Sequence, residues 1–390
     1  RTTSMPHLEH IGIAVKESSG VEDFLYDLLG LRSYKTEAIR EHDVRATFLS
    51  AGTAKLELLE STAPDSTIAK YLTRRGEGIH HLAFEVEDIF ETFRAVQELG
   101  LDPVEEAPRP GADGRQVFFL HPRQTHGILI ELCQDTNPPL EPTFVEYRGE
   151  RLATYRAGNP ARPPIVILHG ALGATELETR GLFEELAQDH FVIAIDFPGH
   201  GASDDVEDLP LNLEGLADVV LTVMDAEDLE TTSLFGFSFG GNVGLTVARE
   251  QPSRIQRLIS HGANPFWRAH RTPELFDPEQ IEEEHPAWAQ RLDLVHGTQQ
   301  WRRTAARFLA AVEGRTGTLL TEELVRAVER PVLVTGGDRD PLTPLTDTMR
   351  LFELLPNSQL AVLPNTAHPF QHVDAQTYAR HVRAFLGSHT

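Results

Sequence analysis

Two hydrophobic patterns divide this chain. Over its last two thirds, short apolar runs recur between breaks rich in Gly, Pro and Asp: Pro164 to Leu168, Phe191 to Asp196, Ser233 to Phe235, Pro331 to Thr335 and Gln359 to Leu363. Runs of this length with no polar alternation suit strands buried on both faces. Helix-like stretches such as Asn242 to Arg249 follow them, so the region reads as an α/β arrangement, a mostly parallel sheet flanked by helices. From 262 to 330 the strands give way to several amphipathic helices carrying Trp267, Phe276, Trp288, Trp301 and Phe308.

The first third repeats itself. His10-Ile11-Gly12-Ile13-Ala14-Val15 and His81-Leu82-Ala83-Phe84-Glu85-Val86 are copies of one pattern, 71 residues apart. Each leads into a helix-like stretch, Gly20 to Leu29 and Val86 to Leu99. Each stretch stops at a glycine, Gly30 or Gly100, the residue that accepts a left-handed cap. Each half closes on an apolar strand holding one glutamate, Glu57 in Lys55 to Leu59 and Glu131 in Ile128 to Leu132. The pattern predicts two like β-rich halves.

At 390 residues the chain is long enough for two domains with good cores. The seam is expected at 136–143, where Pro138, Pro139 and Pro142 make a short stiff linker between a domain at 1–135 and another at 144–390. Cys133 is the single cysteine, which excludes an internal disulfide and points to a reducing, cytoplasmic setting. Its expected place is a packed core rather than a ligand position. No apolar run reaches membrane-spanning length, and neither a secretory signal nor an anchor is expected. The net charge of −24 disfavours nucleic acid and anionic membrane surfaces as partners, which leaves small molecules, with room for a homodimer.

Candidate chemistry in the larger domain begins at Gly236-Phe237-Ser238-Phe239-Gly240. A Gly-x-Ser-x-Gly turn between strand and helix holds its serine on a sharp corner, because a Cβ at either glycine would collide with the neighbouring strand or helix. A serine hydroxyl needs a histidine to take its proton, and the histidine needs a carboxylate to orient it. Asp338 and Asp340 follow the run at Pro331, and His368 follows the run at Gln359. Both loops therefore sit at carboxyl ends of strands, where open α/β sheets place their sites. Position favours His368 over His372 as the base. Upstream, His169-Gly170-Ala171-Leu172-Gly173 can offer the Ala171 N–H to an oxyanion, paired with the N–H of Phe239. His169 and His200 read as loop-ordering residues, and Ser203 with Asp204 as a helix cap.

This ensemble resembles the α/β-hydrolase superfamily from about Phe144 to Thr390. The resemblance implies Ser238 as nucleophile, His368 as base and Asp340, just before Pro341, as the acid, with Asp338 the alternative. It also implies a cap at about 262–330, whose aromatics either line an acyl or alcohol pocket or join the cap to the core. Serine at the elbow argues against the dehalogenase and epoxide-hydrolase branches, which use aspartate there.

In the first third, two histidines and two glutamates at equivalent points of the repeat form a metal-ligating constellation. Imidazole with carboxylate suits a divalent ion such as Zn, Co, Mn or Mg, and a glutamate inside an apolar strand is expensive to bury unless something neutralises it. The stretch from about Met5 to Gln134 resembles the vicinal-oxygen-chelate (glyoxalase) superfamily and within it the methylmalonyl-CoA epimerases. The matching stretches are His10 to Val15, Gly78 to His81, Gly111 to Gly114 and Phe119 to Pro122. The resemblance implies an α+β domain of paired βαβββ repeats with His10, Glu57, His81 and Glu131 as ligands. It also offers Glu41 as a proton shuttle beside a metal-polarised carbonyl, against a surface carboxylate as the alternative. The epimerases commonly carry glutamine at the position of Glu57.

The leading expectation is a serine hydrolase of carboxylic esters or thioesters, fused to a metal-binding, epimerase-like domain. The alternatives are metal-dependent epimerisation or isomerisation as the main activity, and a non-catalytic binding or dimerisation role for the first domain.

Overall fold

The computed structural model describes residues 7–31, 33–39, 42–51, 54–86, 88–135, 139–266, 276–313 and 320–387. Glu41 and Trp267, both singled out above, lie outside them, as does the side chain of His372. The chain divides into two compact units, Arg1–Pro139 and Leu140–Thr390.

The first unit holds β1 (His7–Val15), β2 (Ser33–Ile39), β3 (Val44–Ala51), β4 (Ala54–Ser61), β5 (Gly78–Glu85), β6 (Arg109–Pro110), β7 (Arg115–Leu120) and β8 (Ile130–Asp135). They form one sheet in the order β2-β3-β4-β1-β5-β8-β7-β6. The repeat is visible in that order. Each half begins with a strand and helix, adds a meander, and lays its last strand parallel to its first, β4 on β1 and β8 on β5. The first strands of the two halves, β1 and β5, then pair antiparallel at the centre. The expected helices run over Ser18–Leu29 and Ile89–Glu98, and Gly30 and Gly100 close these segments at φ of 70° and 79°. Apolar residues facing both halves of the sheet form small separate cores, Val86, Ile89, Phe93 and Phe118 among them. Cys133 is buried against Ala83 and Val117, a core thiol.

The second unit holds β9 (Thr143–Tyr147), β10 (Glu150–Ala157), β11 (Pro164–Leu168), β12 (Phe191–Ile195), β13 (Thr232–Phe237), β14 (Ile255–His261), β15 (Val332–Gly337) and β16 (Ser358–Leu363). The sheet order is β16-β15-β14-β13-β11-β12-β10-β9, parallel from β16 to β12, with β10 antiparallel to both its neighbours. Two apolar clusters cover its faces, one around Val166, Leu234, Val243 and Leu258, the other around Ile165, Phe235, Phe370 and Tyr378. Every residue of β13 and β15 is buried, as their unbroken apolar patterns predict.

Within the insert, the described helices are Pro278–Glu284, Pro286–His296, Thr298–Glu313 and Glu322–Arg326. Its aromatics join the insert to the core. Trp301 is fully buried and donates its Nε1–H to Asp293 at 2.7 Å, and Phe308 stacks on Phe276 and meets Phe239 edge-on. Ser203 and Asp204 cap no helix. They sit in the turn after β12, where Ser203 Oγ accepts from Ala153 N and donates to Asp196 O, and Asp204 pairs with Arg151. Turn chemistry and a cap use the same residue types, and the sequence does not separate them. Among the described residues, no helix is long and apolar enough to cross a membrane.

Candidate functional site

Ser238 follows the last residue of β13 and precedes the helix Phe239–Glu250. Its backbone stands at φ 51°, ψ −116°, a conformation that L residues rarely adopt and that persists only when surroundings enforce it. The enforcement is steric. A Cβ on Gly236 would lie 2.3 Å from the Gly240 carbonyl oxygen, and one on Gly240 would lie 2.4 Å from that of His169. Ser238 N donates to His261 O of β14, which pins the corner to the sheet.

His368 lies on the loop after β16 and Asp340 on the loop after β15. The imidazole bridges the other two groups, with Nε2 3.0 Å from Ser238 Oγ and Nδ1 2.7 Å from Asp340 Oδ2. The second oxygen of Asp340 accepts from the backbone N–H groups of Leu342 and Thr343, both at 2.8 Å. That carboxylate is buried with three donors and is ready to stabilise an imidazolium. Asp338 instead accepts from Thr366 N and stays outside the relay. Phe239 opens its helix, so its N–H is among those a helix start leaves without an intrahelical partner.

The His169–Gly173 loop is held from three directions. His169 Nδ1 donates to Gly170 O, and its Nε2 accepts from Phe197 N, a loop-ordering role. Glu178 accepts from Gly170 N at 2.7 Å, and burial pushes its carboxyl up to about 8. From the insert, His296 Nε2 donates to Leu172 O while its Nδ1 accepts from Gly201 N. Leu172 itself sits at φ 55°. Neither Glu178 nor His296 carries a motif, because each meets its partner through the fold rather than through neighbouring sequence.

In the first unit, the four residues marked by the repeat fall on the four central strands: His10 on β1, Glu57 on β4, His81 on β5 and Glu131 on β8. All four are buried. His10 Nε2 lies 2.9 Å from His81 Nε2. Glu131 Oε2 is 3.2 Å from His81 Nε2 and 3.9 Å from His10 Nε2; Glu57 Oε2 is 3.5 and 3.3 Å from the same atoms. Ligands at right angles on metal–nitrogen bonds of about 2.1 Å stand about 3.0 Å apart, so these separations have the span of one coordination sphere. His10, His81 and Glu131 alone make a compact three-donor set. Gly12 is required here, since a Cβ would fall 2.2 Å from His81 Cε1.

Without an ion the charges in this cluster oppose one another. Burial opposes a charge on His10, but hydrogen bonds to Glu57 and Glu9 outweigh it and raise the imidazole to about 10. Burial, then the neighbouring His10 and His80, hold His81 well below its ordinary value. Burial lifts Glu131 to about 8, helped by the charges of Glu57 and Glu9. Two buried imidazoles and two buried carboxylates form a donor set that fits a divalent cation. They open on a cavity of about 1150 Å³ whose lining includes Lys70, Arg74, Arg75, Arg109 and Arg123. That basic lining is absent from the sequence motifs: Lys70, Arg74 and Arg75 lie on the helix Thr67–Arg75, and Arg109 and Arg123 join them from other segments.

The family model described as alpha/beta hydrolase fold matches residues 163–330, and that of the Glyoxalase/Bleomycin resistance protein/Dioxygenase superfamily matches 9–119. The mitochondrial methylmalonyl-CoA epimerase of Homo sapiens is 32% identical over 132 residues, 34% of this chain and 75% of that protein. The 2-hydroxymuconate semialdehyde hydrolase of Pseudomonas sp. (strain CF600) is 28% identical over 247 residues, 57% of this chain and 86% of that protein. A solved hydrolase from Pseudomonas aeruginosa PA01 matches with a TM-score of 0.56 at 22% identity, covering 64% of this chain and 100% of its own, which supports the fold of the second unit. The chain therefore joins two kinds of unit: its first belongs with the methylmalonyl-CoA epimerases of the glyoxalase superfamily, and its second has the α/β-hydrolase fold and is similar to hydrolases.

Proposed function

We propose that the second unit hydrolyses carboxylic esters or thioesters through an acyl-enzyme. The observation that carries this reading is His368 bonded at once to Ser238 and Asp340, with Ser238 held in a strained corner. Ser238 Oγ attacks the carbonyl carbon while His368 Nε2 takes its proton. Asp340 stabilises the imidazolium, and the N–H groups of Ala171 and Phe239 hold the oxyanion. The C–O or C–S bond then breaks, and His368 returns the proton to the departing alkoxide or thiolate. Water, deprotonated by the same histidine, releases the acid and restores Ser238. The test is hydrolysis of a short-chain activated ester by wild type and Ser238→Ala, with mass spectrometry for an acyl group on Ser238. Full activity in the variant overturns the reading. The same screen should hold lactones, CoA thioesters and 2-hydroxymuconate semialdehyde, the compound for which the Pseudomonas relative is named.

A second reading concerns the first unit, where a metal cluster opens on a cavity with a basic lining. In it, His10, His81, Glu131 and Glu57 would hold a divalent ion of the Zn, Co, Mn or Mg type, which would supply Lewis-acid polarisation of a carbonyl and so acidify its α-hydrogen. Lys70, Arg74 and Arg75 hold the anionic part of a CoA thioester, and a base takes and returns the α-proton; Glu41, outside the described residues, is the candidate the sequence offers. Metal-dependent uptake of solvent deuterium at the α-carbon of a 2-methylmalonyl-type thioester tests this. A fully metal-loaded protein that shows no exchange overturns it and leaves the unit a binding module.

A further inference from the structure

Glu9 and His10 are neighbours in β1, yet their side chains meet. In a regular strand, successive side chains point to opposite faces, so adjacent residues cannot share a partner. The pairing with β5 explains the exception. Leu8 faces Phe84 and His10 faces Ala83, so Glu9 is an extra residue on β1 with no opposite number, a β-bulge. Bulges re-aim side chains and gather beside functional sites. Here the bulge turns Glu9 to the His10 side, where Oε2 lies 2.5 Å from His10 Nδ1 and both residues are buried.

The other oxygen of Glu9 is already taken. Oε1 lies 2.7 Å from Lys55 Nζ and 3.2 Å from an Arg115 guanidinium nitrogen. Lys55 is the register partner of His10 on β4, and Arg115 starts β7. Glu9 is thereby fixed from behind and faces the imidazole nitrogen that points away from His81, Glu57 and Glu131.

We propose that Glu9 is a positioning residue for the metal centre: it accepts the Nδ1–H of His10, fixes that tautomer, and holds Nε2 toward the ion. The proposal rests on reading His10, His81, Glu131 and Glu57 as ligands. Outer carboxylates of this kind set ring orientation and raise the basicity of the ligating nitrogen, and their loss weakens metal binding by about 10- to 100-fold. Lys55 and Arg115 hold the far oxygen of Glu9 in place, which leaves the near one for His10.

The experiment uses the full chain stripped of metal and titrated with Co²⁺ against a chromophoric chelator. Glu9→Ala should weaken Co²⁺ binding by about 10- to 100-fold and change the visible absorption of the bound ion, with the metal-free fold checked by circular dichroism. Glu9→Gln, which keeps an acceptor oxygen but not the charge, should fall between the two, and it carries the test if the alanine variant does not fold. Affinity and spectrum within two-fold of wild type in the folded variants overturn the proposal. A wild type that takes up no Co²⁺ overturns the ligand assignment itself, and the role of Glu9 falls with it.

Discussion

The two candidate sites use strands in opposite ways. Ser238, Asp340 and His368 stand just past the carboxyl ends of β13, β15 and β16, where His368 bonds both of its partners. His10, Glu57 and His81 sit within their strands and Glu131 at the second residue of β8, all buried, and their polar atoms face one another. The first arrangement is complete as protein alone: one carboxylate with three donors, and an imidazole bonded to it and to the serine. The second gathers four side chains of metal-ligating type in a buried place, where burial raises Glu131 and lowers His81, and hydrogen bonds raise His10 against it. Chemistry by nucleophile needs access and a proton relay, whereas chemistry by metal needs a rigid donor set, and a sheet supplies these at different points along its strands.

The largest effect that would break the contrast is on hydrolysis. Ser238→Ala should lower ester turnover by about three orders of magnitude or more, because the triad acts as a unit, while chelating metal should leave turnover within two-fold. A hydrolysis rate that falls with chelation would mean the two sites are not chemically separate.

Metal should instead govern the stability of the first unit. An ion at about 100 times its dissociation constant stabilises the folded state by about 2.7 kcal/mol, so chelation should shift one of two calorimetric transitions and leave the other in place. His81→Ala should show the chelated behaviour with or without metal. Two transitions that move together on chelation would count against a cluster confined to one unit.

Legibility in the sequence followed the same division. The triad could be read because a strand-then-turn context marks each member and their order along the chain is distinctive; only the choice between Asp338 and Asp340 needed the backbone, which gives Asp340 to His368 and Asp338 to Thr366. The cluster could be read because duplication placed like residues at like points, and the twofold order of the sheet carries those points to its centre. What could not be read depends on register or on distant contacts. Glu9 joins His10 only through a bulge, the basic lining is gathered from one helix and two more distant segments, and His296 reaches Leu172 across 124 residues. Ser203 and Asp204 show the converse: their residue types suit caps and turns alike, and the fold uses them to tie a turn to β10 rather than to cap a helix.

Acid should sharpen the comparison on the hydrolase side. Burial holds His261 down at about 3 and His296 at about 4, so both are neutral in the folded protein while the unfolded chain protonates them below about 6.5. The unfolded state thus binds more protons between pH 6.5 and 4, and stability falls as pH drops through that window. Each histidine contributes a slope of up to about 1.4 kcal/mol per pH unit. Urea midpoints at pH 7, 6, 5 and 4.5 for wild type and His296→Gln should show the variant losing about one histidine's share of the slope. An unchanged slope would mean that His296 is protonated, or solvated, in the native protein.

The smallest effect asks whether the sites work in series on one acyl compound. Suppose the hydrolase prefers one enantiomer of a 2-methyl-branched acyl thioester. With a working epimerase in the same chain, a racemic supply is drained completely, because the slow enantiomer is converted into the fast one as it accumulates. Without it, rapid hydrolysis stops near half conversion and only a slow phase remains. The expected difference between wild type and His81→Ala is therefore at most two-fold in the extent of the fast phase, with its initial rate unchanged, since no residue of the triad is altered. Adding back metal should restore the full extent in wild type alone. If the progress curves of wild type and His81→Ala superimpose on the racemate and on each pure enantiomer, the two units do not act in succession on that acyl group, and the contrast between their sites is one of independent functions.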